Sequence, residues 1–576
     1  MSMSSLFTLF LLLSLAASIW IRRRAVKPNP GRRKLPPGPN PLPIIGNILE
    51  LGQKPHQSLA KLSKVYGPLM RLKLGTMTTV VVSSPEIARI VLQKSDQVLS
   101  SRTHPDAIRA LDHHELSVAW MPVDNQWRKL RKLCKEKMFS VQRLDANQGL
   151  RREKLRQLKD YVNGCCADGQ AVDVGRAAFT TSLNLLSATL FSVDFAAFGS
   201  DSSQELRDVV WGIMAVVGRP NFSDYFPFLQ LVDLQGIFRE STVYFKKCFA
   251  IFDEIIHQRL QGSDSMSKND MLEALLDINH KNESELSFDD IKHLLLDLFV
   301  AGTDTTSSTV EWAMAELMRN PEKLSKARTE LRNVVGQNEE VQESDISRLP
   351  YLQALVKETF RLHPTVPRKA VEDVEINGFI VPQNTQVLVN VWAIGRDSSV
   401  WPNPDVFMPE RFMETETDFH GQHFELLPFG GGRRICLGLP LAHRMVHLVL
   451  ATLISNFDWK LEEGSNCFSC DYIGAVNNVF VGNPSYDHIF PERNFASTET
   501  SGDLKKEVVK KAPPKKRQVN RRFGCQRKVG LTGFKCQCGE LFCANHQYFD
   551  RHDCTYGARS HSQGETVVKV AKIVKV

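Results

Sequence analysis

The sequence predicts a mainly α-helical body with small β-sheets, an N-terminal membrane anchor helix and a small, separately stabilised C-terminal module. Three observations carry this. Asp289–Asn320 reads DDIKHLLLDLFVAGTDTTSSTVEWAMAELMRN, with apolar residues recurring at three and four and no proline before Pro321, which is the pattern of one long helix. Strand candidates are few, Thr79–Val82 and Thr385–Val391. Leu6–Ile21 is almost wholly apolar and is followed by Arg22, Arg23 and Arg24, while five of the twelve cysteines (Cys525, Cys536, Cys538, Cys543 and Cys554) crowd into the last 52 residues.

The 576 residues suggest about three to four domains. With 42% apolar, 24% charged and 9% aromatic residues, the chain is neither disordered, collagen-like nor a small disulfide-stapled protein. A mean hydropathy of -0.22 excludes a polytopic membrane protein. The net charge of +8 is unevenly placed: residues 501–576 hold 17 Lys/Arg against 6 Asp/Glu, which leaves 55 against 58 for residues 1–500. The basicity belongs to the tail, and the body is not a polyanion binder.

In the anchor, the positive charge comes after the apolar run instead of preceding it. A cleaved signal peptide has the opposite order and remains the rival reading. By the positive-inside rule, the chain beyond Arg22–Arg24 stays cytosolic. The run is short against the about 20 residues of a spanning helix, and Met3–Ser5 extend it. Seven prolines between Lys27 and Pro43 then make a semi-rigid spacer. No phosphate-binding loop and no dinucleotide fingerprint comes after a strand anywhere in the body.

Four motifs in the body carry chemistry. Phe429–Gly438 reads FGGGRRICLG, one cysteine in a glycine-rich loop ahead of a helical pattern. Its glycines let a backbone approach a flat ligand closely. A neighbouring cation and a helix N-terminus favour a thiolate at Cys436, which as residues alone suits a soft metal ligand, a nucleophile or a structural cysteine. Glu358 and Arg361 lie three apart on one helix face and can pair; at an exposed site that is worth only ~0.5 kcal/mol. Ala301–Thr306 (AGTDTT) sits mid-helix, where small residues leave room above a flat cofactor and threonine hydroxyls bond back to the i−4 carbonyl. Trp127–Arg131 (WRKLR) alone reads as an amphipathic helix with solvated basic residues.

Together these motifs resemble the cytochrome P-450 family. The spacing of Phe429, Gly432, Arg434, Cys436 and Gly438 matches its haem-binding signature, which implies the P-450 fold, haem b as cofactor and Cys436 as axial thiolate ligand of the iron. The resemblance further implies that Glu358 and Arg361 are buried, and that Arg411 of Pro409–Phe412 (PERF) completes them as scaffolding. It implies that Asp304 and Thr305 deliver protons during oxygen activation. Trp127, Arg131 and Arg368 would contact the haem propionates. Segments such as LPPGPNPLPIIGN, HHELSVAWMPV and VLVNVWAIGRD resemble the plant microsomal subfamily that includes geraniol 8-hydroxylase-like enzymes. That implies hydroxylation of a small lipophilic, terpenoid-like metabolite at the cytosolic face of the endoplasmic reticulum membrane. Electrons would come from a separate NADPH-dependent flavoprotein reductase. The body departs from the subfamily twice: about four residues are missing between His363 and Arg368, beside the substrate pocket, and after Glu463 the terminal hairpin pattern is lost. Cys467 and Cys470 form an incidental CxxC.

The basic stretch Lys505–Lys528 reads first as a solvated linker, with a nuclear import signal as its rival; nucleic-acid contact is not expected. Beyond its start, Cys525, Cys536, Cys538, Cys543, His546, His552 and Cys554 fall within 30 residues. In a cytosol-facing segment this favours zinc over disulfides. The pattern resembles the AN1-type zinc finger of plant stress-associated proteins. That resemblance implies one zinc on Cys536, Cys538, His552 and Cys554, and a second on Cys525, Cys543 and His546, whose fourth ligand position is Arg522. A protein is the expected partner of such a finger.

The organisation is therefore an anchor (1–21), a basic, proline-rich hinge (22–47), a haem domain (48–463), a divergent segment and basic linker (464–518), a zinc finger (519–556) and a tail (557–576). Two rivals to the monooxygenase reading stay open: a zinc-finger interaction protein with a degenerate oxygenase part, and an artificial fusion of two reading frames.

Overall fold

The computed structural model describes residues 34–461, apart from 199, 262–269, 282–285, 337–338, 364–366 and 370–371, together with the backbone of 534–535, 541–542 and 567–570. Eleven helices of eleven residues or more are present among the described residues: α1 (Pro55–Tyr66), α2 (Asn125–Lys137), α3 (Gln148–Ala167), α4 (Val174–Phe191), α5 (Asp201–Gly218), α6 (Ile237–Gln261), α7 (Met271–Lys281), α8 (Phe288–Arg319), α9 (Pro321–Val335), α10 (Pro350–Leu362) and α11 (Leu439–Asn456).

Helix α8 shows why the long pattern folds as it does. Ser287 opens it with a capping box: its Oγ accepts from Asp290 N at 3.1 Å, and Asp290 Oδ2 accepts from Ser287 N at 2.9 Å. It ends at Arg319 because Asn320 precedes Pro321, which disfavours the helical conformation before it and starts α9 instead. Apolar side chains on several sides of α8 are buried, since α4, α5, α6, α9, α10 and α11 all pack against it.

One mixed sheet flanks the helices, in the order β1 (Leu69–Leu74), β2 (Met77–Val82), β6 (Gln386–Val389), β3 (Pro367–Lys369). β1 and β2 form a hairpin turned by Gly75 at φ +58°, β2 runs parallel to β6, and β3 runs antiparallel to β6 with Arg368 opposite Val387. The Asn377–Gly378 turn, with both residues at positive φ, folds β4 (Val374–Ile376) onto β5 (Phe379–Val381). β1 and the short strands after α10 carry too little alternation to be expected from the sequence. The predicted strand Thr385–Val391 is shorter: Asn390 caps a helical turn at Val391–Ile394.

The chain divides into two units, residues 1–489 with 567–576, and residues 490–566. In the first, β7 (Asp458–Leu461) pairs in parallel with β10 (Val567–Val570). In the second, β8 (Phe534–Lys535) pairs antiparallel with β9 (Leu541–Phe542). Among the described residues no helix is long and apolar enough to cross a membrane. The anchor run 6–21, the shortened loop after His363, Cys467, Cys470, Arg522 and all seven zinc-ligand candidates lie outside the described residues, as does the side chain of Arg368.

Candidate active site around Cys436

The loop that carries Cys436 is fixed from behind by α10. Glu358 and Arg361, both without exposed side-chain surface, make a two-pronged pair, Nε–Oε2 at 2.7 Å and Nη2–Oε1 at 2.8 Å. Arg411 Nε adds a contact to the same carboxylate at 3.1 Å, and Met408 N donates to it at 2.7 Å. The remaining donors of Arg361 reach the carbonyls of Gly395, Pro404 and Val406. Stretch 395–411 is thereby tied to α10. Between the paired residues, Phe360 packs edge-on against Phe429 with centroids 5.2 Å apart. The start of the FGGGRRICLG loop thus rests on the same helix.

Within the loop, Cys436 N donates to the Phe429 carbonyl at 3.0 Å. Gly432 sits at φ +64°, and a Cβ there would come 2.0 Å from Leu92 O and 2.7 Å from Asp96 Oδ1. Segment 92–96 by itself demands glycine at 432. Asp96 in turn accepts from Arg433 N and Nε at 3.0 and 3.1 Å. Gly438 precedes α11, and its N–H and that of Leu439 donate to the Cys436 thiol.

Cys436 is reached by solvent and yet surrounded by protein atoms, so its sulfur lies on the wall of an interior opening. Burial pushes the thiol above its ordinary range, outweighing the two N–H donors and the cations Arg131 and Arg102. This corrects the expectation of a spontaneously favoured thiolate: in the protein alone, desolvation wins. A bound metal cation would reverse the balance.

Arg434 is 6% exposed and donates to the carbonyls of Ser100, Val118, Ala119 and Met121. It holds stretch 100–121 against the loop. Arg131 Nη2 donates to Ile435 O at 2.8 Å. Both guanidinium groups lie 5.0 Å from the ring centroid of Trp127. The Trp127 indole N–H is itself donated to Val118 O at 3.0 Å, so here the ring offers its face, and the N–H goes to backbone.

On α8, Ala301, Gly302, Thr305, Ser308 and Thr309 remain partly accessible within an otherwise buried stretch. Thr305 Oγ1 donates to Ala301 O at 2.7 Å. Asp304 is buried, with a side-chain hydrogen bond from Trp211 of α5 and Arg207 nearby; burial pushes its pKa up to about 7. A Cβ at Gly302 would come 2.7 Å from Leu186 Cδ1, so the packing of α4 demands a small residue there.

Two contributors were not visible in the sequence. Arg102 acts on the Cys436 thiol across more than three hundred residues, and Asp96 accepts from the loop across a similar distance. Neither sits in a spacing that points to Cys436. Asp297 likewise accepts from Ser117 Oγ at 2.7 Å and lies 3.3 Å from His113 Nε2, fastening segment 113–119 to α8.

Residues 36–473 match the cytochrome P-450 family, and residues 522–559 match the AN1-like zinc finger family. The chain belongs to the cytochrome P-450 family. It is 61% identical over 440 residues to cytochrome P-450 76T24 of Catharanthus roseus, covering 75% of this chain and 88% of that protein. It is 52% identical over 437 residues to geraniol 8-hydroxylase of Swertia mussotii, covering 75% and 88%. It is 50% identical over 457 residues to ferruginol synthase of Isodon rubescens, covering 78% and 93%. The P-450 body is that of a haem monooxygenase and the finger that of a zinc module, so haem iron and zinc are the cofactors of this chain. The residues present fit a haem: a soft sulfur donor lines an interior opening, N–H groups point at it, and cationic side chains surround it.

Proposed function

We propose that the chain is a membrane-anchored haem-thiolate monooxygenase that hydroxylates a small lipophilic, terpenoid-like plant metabolite, with Cys436 as the axial ligand. The observation that carries this is the accessible Cys436 thiol inside the body, its residue fixed by the backbone N–H donated to Phe429 O and its sulfur approached by the N–H groups of Gly438 and Leu439. The substrate class rests on the names of the relatives, a geraniol 8-hydroxylase and a ferruginol synthase. Bound haem iron supplies activation of dioxygen, one atom entering the substrate and the other leaving as water, with electrons from a separate NADPH-dependent flavoprotein reductase.

The chain's own residues do the rest. Gly438 N–H and Leu439 N–H stabilise negative charge on Cys436 Sγ. Trp127, Arg131 and Arg368 are the residues for the haem carboxylates, and Arg434 holds stretch 100–121 against the loop. Glu358, Arg361 and Arg411 keep the loop in register. Asp304, whose pKa burial pushes up to about 7, holds a proton beside Thr305 at the accessible stripe of α8. Segment 6–21 anchors the chain in the endoplasmic reticulum membrane with the body in the cytosol. Phe222, Phe228, Leu231, Val232 and Leu234 support membrane contact, Leu231 being 97% exposed. The second zinc site stays incomplete at Arg522.

The test is the carbon-monoxide difference spectrum of the reduced, membrane-expressed full chain beside Cys436→Ser. A red-shifted thiolate-type Soret band that Cys436→Ser loses is the expected result. Its absence from the unaltered chain would sink the enzymatic reading and leave the zinc module as the working part.

A further inference from the structure

Strand β7, which comes after α11, is fixed to the body by side chains and by backbone. Arg328 of α9 pairs through Nη1 with Asp458 Oδ1 at 2.6 Å, and donates from Nη2 to Phe457 O at 2.7 Å and from Nε to Ile454 O at 3.2 Å. Trp459 is buried, packs edge-on against Phe457 with centroids 5.9 Å apart, and donates its indole N–H to Leu453 O at 2.8 Å. These contacts make β7 a rigid template, and the edge of such a strand invites a partner. The terminal hairpin pattern is lost after Glu463. The strand that pairs with β7 comes instead from far along the chain, as β10 (Val567–Val570).

The register sets Val567 opposite Asp458, Val568 opposite Trp459, Lys569 opposite Lys460 and Val570 opposite Leu461. The backbone of β10 also lies beside α3. Three of its four residues are valine, a β-branched type that suits a strand. The pairing is parallel, and a parallel pair needs a long crossover. Residues 462–566 supply it, and they include the stretch 522–559 that matches the zinc finger. The chain thus leaves this sheet at Leu461 and returns to it at Val567. One feature opposes the pairing: Lys460 and Lys569 occupy partner positions, where like charges repel. Two strands alone are marginally stable in water, so a sheet of this size can open.

We propose that the edge of β7 is a docking surface and that its occupant is Val567–Val570 of the same chain. The strand covers the edge and fastens the chain beyond the zinc-finger stretch to the haem body. The Lys460–Lys569 repulsion keeps this clip reversible. The docking does not depend on the monooxygenase reading.

The experiment is hydrogen–deuterium exchange of the purified full-length chain, read by mass spectrometry on the amides of Asp458–Leu461. Successive N–H groups of a strand face opposite sides, so one of two neighbouring residues donates toward β7. Val568→Pro and Lys569→Pro, made separately, therefore include one variant that loses this donor, and in it exchange at 458–461 should quicken about tenfold. Lys569→Glu turns the repulsion at Lys460 into attraction and should slow exchange about twofold to fivefold. Exchange at 458–461 that none of the three variants changes overturns the proposal. So does Lys569→Glu quickening it, because the two lysines would then not be partners. Zinc content and the reduced carbon-monoxide spectrum should match the unaltered chain in all three variants. Their loss together with faster exchange would mean that the body as a whole had loosened, which overturns a local clip.

Discussion

Glu358 has no exposed surface and faces two guanidinium groups at once, with a backbone N–H as its third partner. Such a carboxylate is stable only while its partners stay, and removing one side of a buried charge pair costs about 3–5 kcal/mol. Glu358→Gln keeps the shape and removes the charge, leaving Arg361 and Arg411 to repel each other around a neutral amide. The expected outcome is destabilisation of about 3–5 kcal/mol in chemical denaturation, with haem incorporation lost in the same preparation. A change under about 1 kcal/mol would mean that the carbonyls of Gly395, Pro404 and Val406 alone hold Arg361. The i,i+3 spacing made this pair legible in the sequence, and the resemblance supplied Arg411. The contact from Met408 N was not legible, because a backbone donor fifty residues away leaves no mark on side-chain spacing. Arg102 and Asp96 escaped for the same reason. Trp127 and Cys436 were legible as positions, but the energetic sign at Cys436 was not, since burial of a thiol is a property of the folded surroundings.

At the scale of elements, α8 was the most readable part of the chain, because an uninterrupted 3.6-residue pattern and Pro321 define it from both ends. The strands β3 to β5 are three residues each and offer no period to count. What the helix does with its small residues also needed the neighbouring helix. Gly302 meets Leu186 of α4, so a methyl group there overfills the contact, costing about 1–3 kcal/mol against a helix-propensity gain of about 1 kcal/mol. Gly302→Ala should therefore be neutral to about 2 kcal/mol destabilising in thermal or chemical unfolding. In a Leu186→Ala background the same substitution should become stabilising, because the methyl then fills space left by Leu186. Equal effects in both backgrounds would show that α4 does not set the size of residue 302. The sign reversal is a cleaner readout than haem loading, since it isolates helix packing from any cofactor.

For the whole molecule, the decisive contrast is between a body that folds around a large apolar core and a tail that carries a zinc-finger module. The body buries apolar side chains from α4, α8 and α11 together and has a near-balanced charge, whereas residues 501–576 carry the excess of Lys and Arg. A small module without such a core folds on the free energy of ligand binding, and a structural zinc needs four ligands to supply it. On the proposed assignment, Cys536, Cys538, His552 and Cys554 would make one such set, while Cys525, Cys543 and His546 would lack a fourth ligand, Arg522 standing at the matching place in the sequence. A fixed positive charge there repels the cation as well as failing to bind it. The purified chain should hold about one zinc, and Arg522→Cys should raise the content to about two, measured by metal analysis after dialysis. A strong chelator should strip the zinc while leaving the reduced carbon-monoxide spectrum unchanged, because Cys436 draws its supports from residues 92–131, 358–361 and 429–439. Two zincs in the unaltered chain would show that Arg522 does not stand where a ligand is needed. A Soret band that collapses on chelation would show that the tail stabilises the haem body.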